Sequence, residues 1–449
     1  MKFFDREKEI KRLREIRQKS YSGARFTVIT GRRRIGKTTL VLHAVGPEEE
    51  IRPGQERDLF LYFFVSRKAE KDLCREYLHE IRDKTDADIL GEVSSFSEIF
   101  RYVMRISQER PVTLFIDEFQ DFLLINPSVF SDMQMIWDLG KDKSKLNLIV
   151  GGSINSMMHR LFLDKGMPLY QRETDTIRLR PFSTSVLKEI MAHYRPDYTP
   201  DDLLALYSFT GGVAKYVELF VDNDALTLDS MIGNMMHDGS PFIDEGNVML
   251  LGEFQKEYGV YFSILSAIAG GHASRAGIET AVGKEVGGYL TRLEEEYELI
   301  SKRLPIYQDS RSRNMQYELR DNFLTFWFRF VFKYGYMLEI GAYSKMRELV
   351  MRDYATFSGF MLERYFRKKL AETESYTRIG GWWDRKGGNE IDIVASDDLK
   401  KRIDFIEVKR NPERYRADLL QEKITAFMAV NKQLASWPRT QSVLSLEDM

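Results

Sequence analysis

One cysteine, Cys74, is all the thiol the chain has, which excludes an intrachain disulfide and fits a reducing compartment. Six histidines and that cysteine show no zinc-ligand spacing. Ser153 sits in "GGSIN", which is not the G-x-S-x-G elbow of a serine hydrolase, and it has no evident partner histidine. An excess of one charge is also missing. Lys plus Arg total 66 against 68 Asp plus Glu, so any nucleic-acid contact must come from local patches. Apolar runs such as "LFLYFFV" from Leu59 are too short to span a bilayer. The opening "MKFFDREKEIKRL" lacks the apolar core of a signal peptide. The expectation is a soluble, cytoplasmic protein without a membrane partner, and no repeats or low-complexity tracts suggest otherwise.

What is present is the composition of a globular chain, 43% hydrophobic and 30% charged over 449 residues. That length gives a prior of about three domains. Up to Pro181, short β-rich runs alternate with helical patterns: "RFTVIT", "LFLYFFV", "VTLFID", "LNLIVGG" and "DTIRLRP". Runs apolar on both faces and separated by helices predict an α/β fold with a doubly wound parallel sheet. From Ser183 the pattern turns helical through "STSVLKEIMAHY" and "TPDDLLALYSFTGGVAKYVELFV". "YFSILSAIAGG", "RAGIETAVG" and "VGGYLTRLEEEYELI" then read as three short helices. "LISKRLPIY" and "MQYELRD" follow as a hairpin, the order of a winged helix. The aromatic run "FLTFWFRFVFKYGYM" carries Arg329 and Lys333 inside it and reads as a packed helix. The remainder reads helix, strand, strand, helix.

"GRRRIGKT" matches G-x-x-x-x-G-K-[ST] between a strand and a helix. Gly31 and Gly36 let backbone N–H groups turn inward around phosphate, with Arg32, Arg33, Arg34 and Ile35 supplying the loop between them. Lys37 reaches the β and γ phosphates, Thr38 offers a hydroxyl to Mg²⁺, and Thr39 lies in the helix's first turn, whose positive end faces the anion. "VTLFIDEF" ends a strand in Asp117, suited to the Mg²⁺ shell, and Glu118, suited to polarising an attacking water. The loop and this acidic pair together point to ATP hydrolysis.

"FFDREKEIKRL", "GRRRIGKT", "LFIDEFQ", "LIVGGS", "PLYQR" and "TGGVAKYVELF" occur in an order that resembles the archaeal-type ATPases, a branch of the AAA+/STAND-related P-loop group. The resemblance implies ATP and Mg²⁺ as cofactors and a sensor role for Ser153. It also makes Arg172 in "PLYQR" a charge-stabilising arginine, although a surface salt bridge is an equal reading of that residue. Acting in trans, Arg172 would require a homo-oligomer.

A second constellation lies far downstream in "NEIDIVA" and "DFIEVKRN". Alternation along a strand puts Glu407 and Lys409 on one face, and Glu390 and Asp392 on another shared face. If the strands pair, Asp392, Glu407 and Lys409 converge: two carboxylates for a hard cation, and a lysine to orient water. Glu363, in "FSGFMLERYFRKKLAE", offers a third acid. Solvated charges on an amphipathic strand give the same letters. The pattern resembles the PD-(D/E)XK nuclease core. "WWDRKGGNEIDIVA", "IEVKRN" and "YELRDNFLTFWFRF" resemble the C-terminal domain of unknown function that accompanies many archaeal-type ATPases. Cleavage and mere docking both remain open, as does DNA contact by the winged helix. There "LEEEYE" would repel phosphate, while Arg311 and Arg313 of the wing would attract it. Trp382 and Trp383 read as core.

The resulting expectation is a P-loop ATPase core over 1–182, a helical lid over 183–250, a winged helix over 251–335, and a restriction-endonuclease-like α/β domain over 336–449. Nucleotide state would control the C-terminal domain on DNA. The alternatives are an ATP-dependent signalling switch and a DNA-binding regulator, each with an inactive nuclease fold.

Overall fold

The computed structural model describes residues 1–47, 58–85, 93–153, 155–254, 258–308, 314–384 and 388–449. The chain divides into two compact units, one formed by Asp5–Arg180 and the other by Met1–Phe4 with Pro181–Met449.

In the first unit the five apolar runs become strands β1 (Arg25–Thr30), β2 (Leu59–Phe64), β3 (Val112–Asp117), β4 (Leu146–Gly152) and β5 (Asp175–Arg178). They form one parallel sheet in the order β2-β3-β4-β1-β5. Every residue of β3 and β4 is buried, as a central parallel strand covered on both faces requires. The flanking helices explain this cover. Phe96, Ile99, Phe100, Val103 and Met104 fall on one stripe of helix Phe96–Glu109 and pack into a core with Leu114, Ile116, Leu148 and Val150. Each such side chain contributes roughly 1.5–3 kcal/mol on burial. β4 lies between β1 and β3, so the loops leaving β1 and β3 open at the same carboxyl edge of the sheet, where ligands of doubly wound folds bind.

The first two helices of the second unit are each started by a side-chain cap. Ser183 accepts from the Val186 N–H before Thr184–Tyr194, and Thr199 and Asp202 form a capping box for Pro200–Thr210. Gly211, at φ +59°, ends that second helix in the left-handed conformation that glycine adopts most easily. Helices Tyr258–Ala269, Arg275–Val282 and Gly287–Glu295 follow. They lead into the antiparallel pair β6 (Ile300–Arg303) and β7 (Gln316–Leu319), the element order of a winged helix. Arg311 and Arg313 lie outside the described residues. The aromatic run forms helix Asn322–Phe326 and continues as a π-helical turn, Trp327–Phe332. Phe323, Leu324, Phe326, Trp327 and Phe328 are buried, and the Trp327 indole N–H donates to the Ile243 carbonyl at 2.7 Å. Among the described residues no helix is long and apolar enough to cross a membrane.

The last part of this unit is a long helix, Tyr343–Glu372, followed by β8 (Arg378–Trp383), β9 (Glu390–Asp397), β10 (Arg402–Val408), helix Ala417–Val430 and β11 (Arg439–Leu444). The sheet order is β11-β10-β9-β8. β9 runs antiparallel to both neighbours, and β11 is parallel to β10 through the intervening helix. Trp382, Ile391, Val394, Ile403 and Phe405 pack against Leu420, Ile424 and Phe427. Two of these strands, β8 and β11, exceed the helix–strand–strand–helix pattern read from sequence. β8 contains Gly380 and Gly381, which break a strand signature, and β11 leaves Arg439, Thr440, Gln441 and Ser442 exposed, so it shows no alternation.

Candidate active site

β1 hands the chain to a loop of unusual backbone angles. Gly31 has φ +150°, Arg34 +67° and Gly36 +94°. At Gly31 a β-carbon would stand 2.9 Å from the Leu179 carbonyl oxygen, so only glycine fits. Ile35, 1% exposed, anchors the loop below, while Arg33 and Thr39 are exposed and Arg32 and Arg34 half-buried. Helix Lys37–Val45 follows directly, its first N–H groups unpaired by the helix itself and available to an anion. The Lys37 ammonium is buried and donates to the carbonyls of Gly31 at 3.0 Å and Arg32 at 3.3 Å. Burial pulls its pKa down from the ordinary lysine value, against the upward pull of Glu118 and Asp117.

Asp117 ends β3 beside this loop. Its Oδ2 accepts from the Thr38 hydroxyl at 2.5 Å and from the Tyr62 hydroxyl at 3.3 Å, and its Oδ1 accepts from the Glu118 N–H at 3.0 Å. Burial first and the Glu118 charge second raise the Asp117 pKa, opposed by the Thr38 hydrogen bond and Lys37. Burial, followed by the Asp117 charge, also holds the Tyr62 phenol well above its ordinary value. Glu118 then adopts φ +53°, a left-handed backbone that costs a non-glycine residue roughly 1–2 kcal/mol. The strained turn brings its carboxylate to β4, where Oε2 accepts from the Ser153 hydroxyl at 2.7 Å and from the Gln120 amide at 2.7 Å. The site thus brings Lys37, Thr38, Asp117, Glu118 and Ser153 together. Tyr62 and Gln120 went unread in the sequence. Tyr62 is the one polar side chain in the β2 run and Gln120 closes "LFIDEFQ", so each left a signal.

Arg172 is elsewhere engaged. Its guanidinium pairs with Asp138 at 3.1 Å and donates to the Tyr170 carbonyl at 3.0 Å, the surface salt bridge that the sequence allowed as one of two readings.

The downstream constellation also assembles. Lys409 donates to Glu407 at 2.6 Å and to Asp392 at 3.2 Å; Lys423, from helix Ala417–Val430, donates to the other Glu407 oxygen at 2.6 Å. Asp392 accepts from the Val408 N–H at 2.7 Å, which fixes it against the end of β10. Burial alone would raise the Glu407 pKa, but its bonds to Lys409 and Lys423 outweigh this and hold it down. Asp392 is raised by burial and then by Glu407, with Lys409 opposing. Glu363 bonds Arg367 at 3.2 Å, and burial followed by the Asp392 charge pushes its carboxyl up to about 7. Glu390 is exposed and Trp382 and Trp383 are buried. Of the metal set expected from sequence, Asp392 and Glu407 are joined through Lys409, and Asp392 is the leading charge acting on Glu363. Among the described residues no group of three or more His, Cys, Asp or Glu side chains is arranged to hold a metal ion. The ammonium groups of Lys409 and Lys423 balance the charges of Asp392 and Glu407.

A further link was invisible in the sequence. Arg410, next to Lys409, forms a two-pronged bond to Asp201 of helix Pro200–Thr210, at 3.0 and 2.7 Å, and also donates to Ser358 at 2.6 Å. The Tyr354 hydroxyl donates to the same Asp201 at 3.1 Å. Glu372 accepts from the N–H and hydroxyl of Thr184, and Lys368 donates to the Phe182 carbonyl at 2.6 Å. The helical segment after Pro181 is thereby bonded to the long helix and to Arg410, just after β10.

The parallel sheet, phosphate loop and acidic strand end define a P-loop ATPase. Comparison with known proteins agrees. Residues 3–220 match a family model described as an ATPase domain predominantly from Archaea, and residues 327–419 match one described as Archaea bacterial proteins of unknown function. An uncharacterized protein of Methanocaldococcus jannaschii, MJECL04, is 30% identical over 424 residues, covering 91% of this chain and 87% of the relative. The chain belongs to this family of archaeal-type ATPases with a C-terminal domain of unknown function. Two solved structures share the fold. The Walker-type ATPase PABY2304 of Pyrococcus abyssi superposes with a TM-score of 0.54 at 18% identity, covering 73% of this chain and 96% of that one. The ORC2 protein of Aeropyrum pernix, in ADPNP–ADP complexes, gives 0.51 at 15% identity over 77% and 94%.

Proposed function

We propose that the ATPase uses Mg²⁺ with ATP, and that its nucleotide state controls the engagement of DNA by the C-terminal domain. The Thr38 hydroxyl and Asp117 carboxylate, 2.5 Å apart, are hard oxygen donors of the kind Mg²⁺ takes, so the residues fit the ion. Bound there, the ion would offset charge on the phosphate oxygens. The chain's own residues do the rest. Lys37 and the first N–H groups of its helix bind the phosphates, and Glu118 accepts a proton from the attacking water. The Aeropyrum pernix relative carries nucleotide, which supports the same binding here.

The observation that carries the control is the Arg410–Asp201 bond. A change in the lid helix Pro200–Thr210 reaches, through one guanidinium, the residue next to Lys409. A charge-assisted pair of this kind is strong and directional. The winged-helix element order and the lysine-lined carboxylate pair support DNA as the partner. The expected chemistry at Asp392, Glu407 and Lys409 ranges from phosphate-backbone binding to cleavage.

The test is DNA affinity of the full chain, by fluorescence anisotropy, with ADP and with a non-hydrolysable ATP analogue. We expect the two states to differ about tenfold in Kd, and Asp201→Ala to reduce the difference to less than about twofold. Equal affinities in wild type would reject nucleotide control. An unchanged difference in Asp201→Ala would reject this route for it.

A further inference from the structure

We propose that Gln120 is a positioning residue for ATP hydrolysis, acting with Ser153 to hold one carboxylate oxygen of Glu118 and leave the other to accept the proton from water. Gln120 is 1% exposed, and its amide nitrogen donates to Glu118 Oε2 at 2.7 Å and, more weakly, to Asp121 at 3.4 Å. The Ser153 hydroxyl donates to that same Glu118 oxygen, also at 2.7 Å. Among the described residues nothing hydrogen-bonds the second oxygen, Oε1. Two donors from two different segments, the turn after β3 and the end of β4, therefore fix the rotation of one carboxylate.

The other end of Gln120 argues against a purely stabilising role. Among the described residues its carbonyl oxygen, which is buried, has no hydrogen-bond partner. A β-carbon built on Gly152 would fall 2.5 Å from that oxygen, so the glycine leaves room for the side chain. An unpaired buried carbonyl is costly, and an apolar residue of the same length would avoid the cost. A glutamine that accepts this cost in order to donate to Glu118 has a positional task. That task matters because a general base works only when its lone pair is aligned with the proton it takes. The backbone strain at Glu118 directs the carboxylate toward β4, and the two donors then set its rotation.

The experiment compares wild type, Gln120→Met and Gln120→Asn for steady-state ATP hydrolysis, labelled-ADP affinity and thermal unfolding. Met keeps length and volume without a donor, and Asn keeps the carboxamide but withdraws it by one methylene. We expect kcat to fall about tenfold in both, with KM and ADP affinity within about twofold of wild type. We also expect the Tm of Gln120→Met to equal or exceed that of wild type, since the orphaned carbonyl is gone. If only the Met variant fails to fold, Asn decides. An unchanged or raised kcat, or a kcat loss matched by loss of ADP affinity, would overturn the proposal. Failure of both variants to fold would make Gln120 a structural residue and overturn it equally.

Discussion

Replacing Lys37 with alanine is expected to lower kcat/KM for ATP by about a thousandfold, or ~4 kcal/mol, and to weaken nucleotide binding as well. The ammonium is held inside the loop by the Gly31 and Arg32 carbonyls, so it stands where phosphate would enter and must exchange those bonds for phosphate oxygens. Burial has already removed most of its water, which strengthens any charge pair it then makes. Alanine removes the charge without disturbing the glycine angles that shape the loop. The unfolding temperature should therefore stay near that of wild type while hydrolysis disappears. Isothermal titration with ADP and a coupled phosphate assay measure the two effects. Retention of more than a tenth of the wild-type kcat/KM would remove Lys37 from the site.

Glu118→Gln should separate the two steps that Lys37→Ala joins. The amide keeps the shape of the side chain but cannot take a proton, so hydrolysis should fall roughly a hundredfold to a thousandfold while ATP binding persists. Ser153 still finds an acceptor in the amide oxygen, so the turn after β3 should hold. The variant would accumulate an ATP-bound state, seen as nucleotide retained after gel filtration. Hydrolysis at the wild-type rate would assign the base elsewhere.

Most of the first site was legible because its chemistry is local in sequence. Eight consecutive residues, Gly31–Thr38, and one strand end supply the loop, the lysine and both acids, and parallel strands announce themselves by continuous apolar letters. Tyr62 was harder, because its role arises only from β2 pairing with β3, which sets Tyr62 across from Phe115 and within reach of Asp117. Gln120 was quoted in a motif yet unread, since its partner depends on the left-handed turn at Glu118, which no letter encodes. In the second site, alternation gave Glu407 and Lys409 their shared face, and strand pairing brought Asp392 to them. Lys423 came from a helix whose docking the sequence did not reveal, and it changes the balance of charge around Glu407. The Asp201–Arg410 bond joins residues on separate elements with no shared motif, so it is a product of tertiary packing alone. β8 and β11 were missed for opposite reasons, paired glycines in one and a solvated edge in the other.

The measurement that bears most directly on the whole account is incubation of the purified chain with plasmid and linear DNA, in Mg²⁺ or Mn²⁺, with and without ATP. Lys37→Ala and Asp392→Ala are run beside wild type. The account predicts a DNA-directed activity, binding or cleavage, that depends on ATP in wild type, loses that dependence in Lys37→Ala and is weakened in Asp392→Ala. Intact ATP hydrolysis with no binding or cleavage of either DNA under any condition would contradict it, and would leave an ATPase whose C-terminal domain docks a different partner.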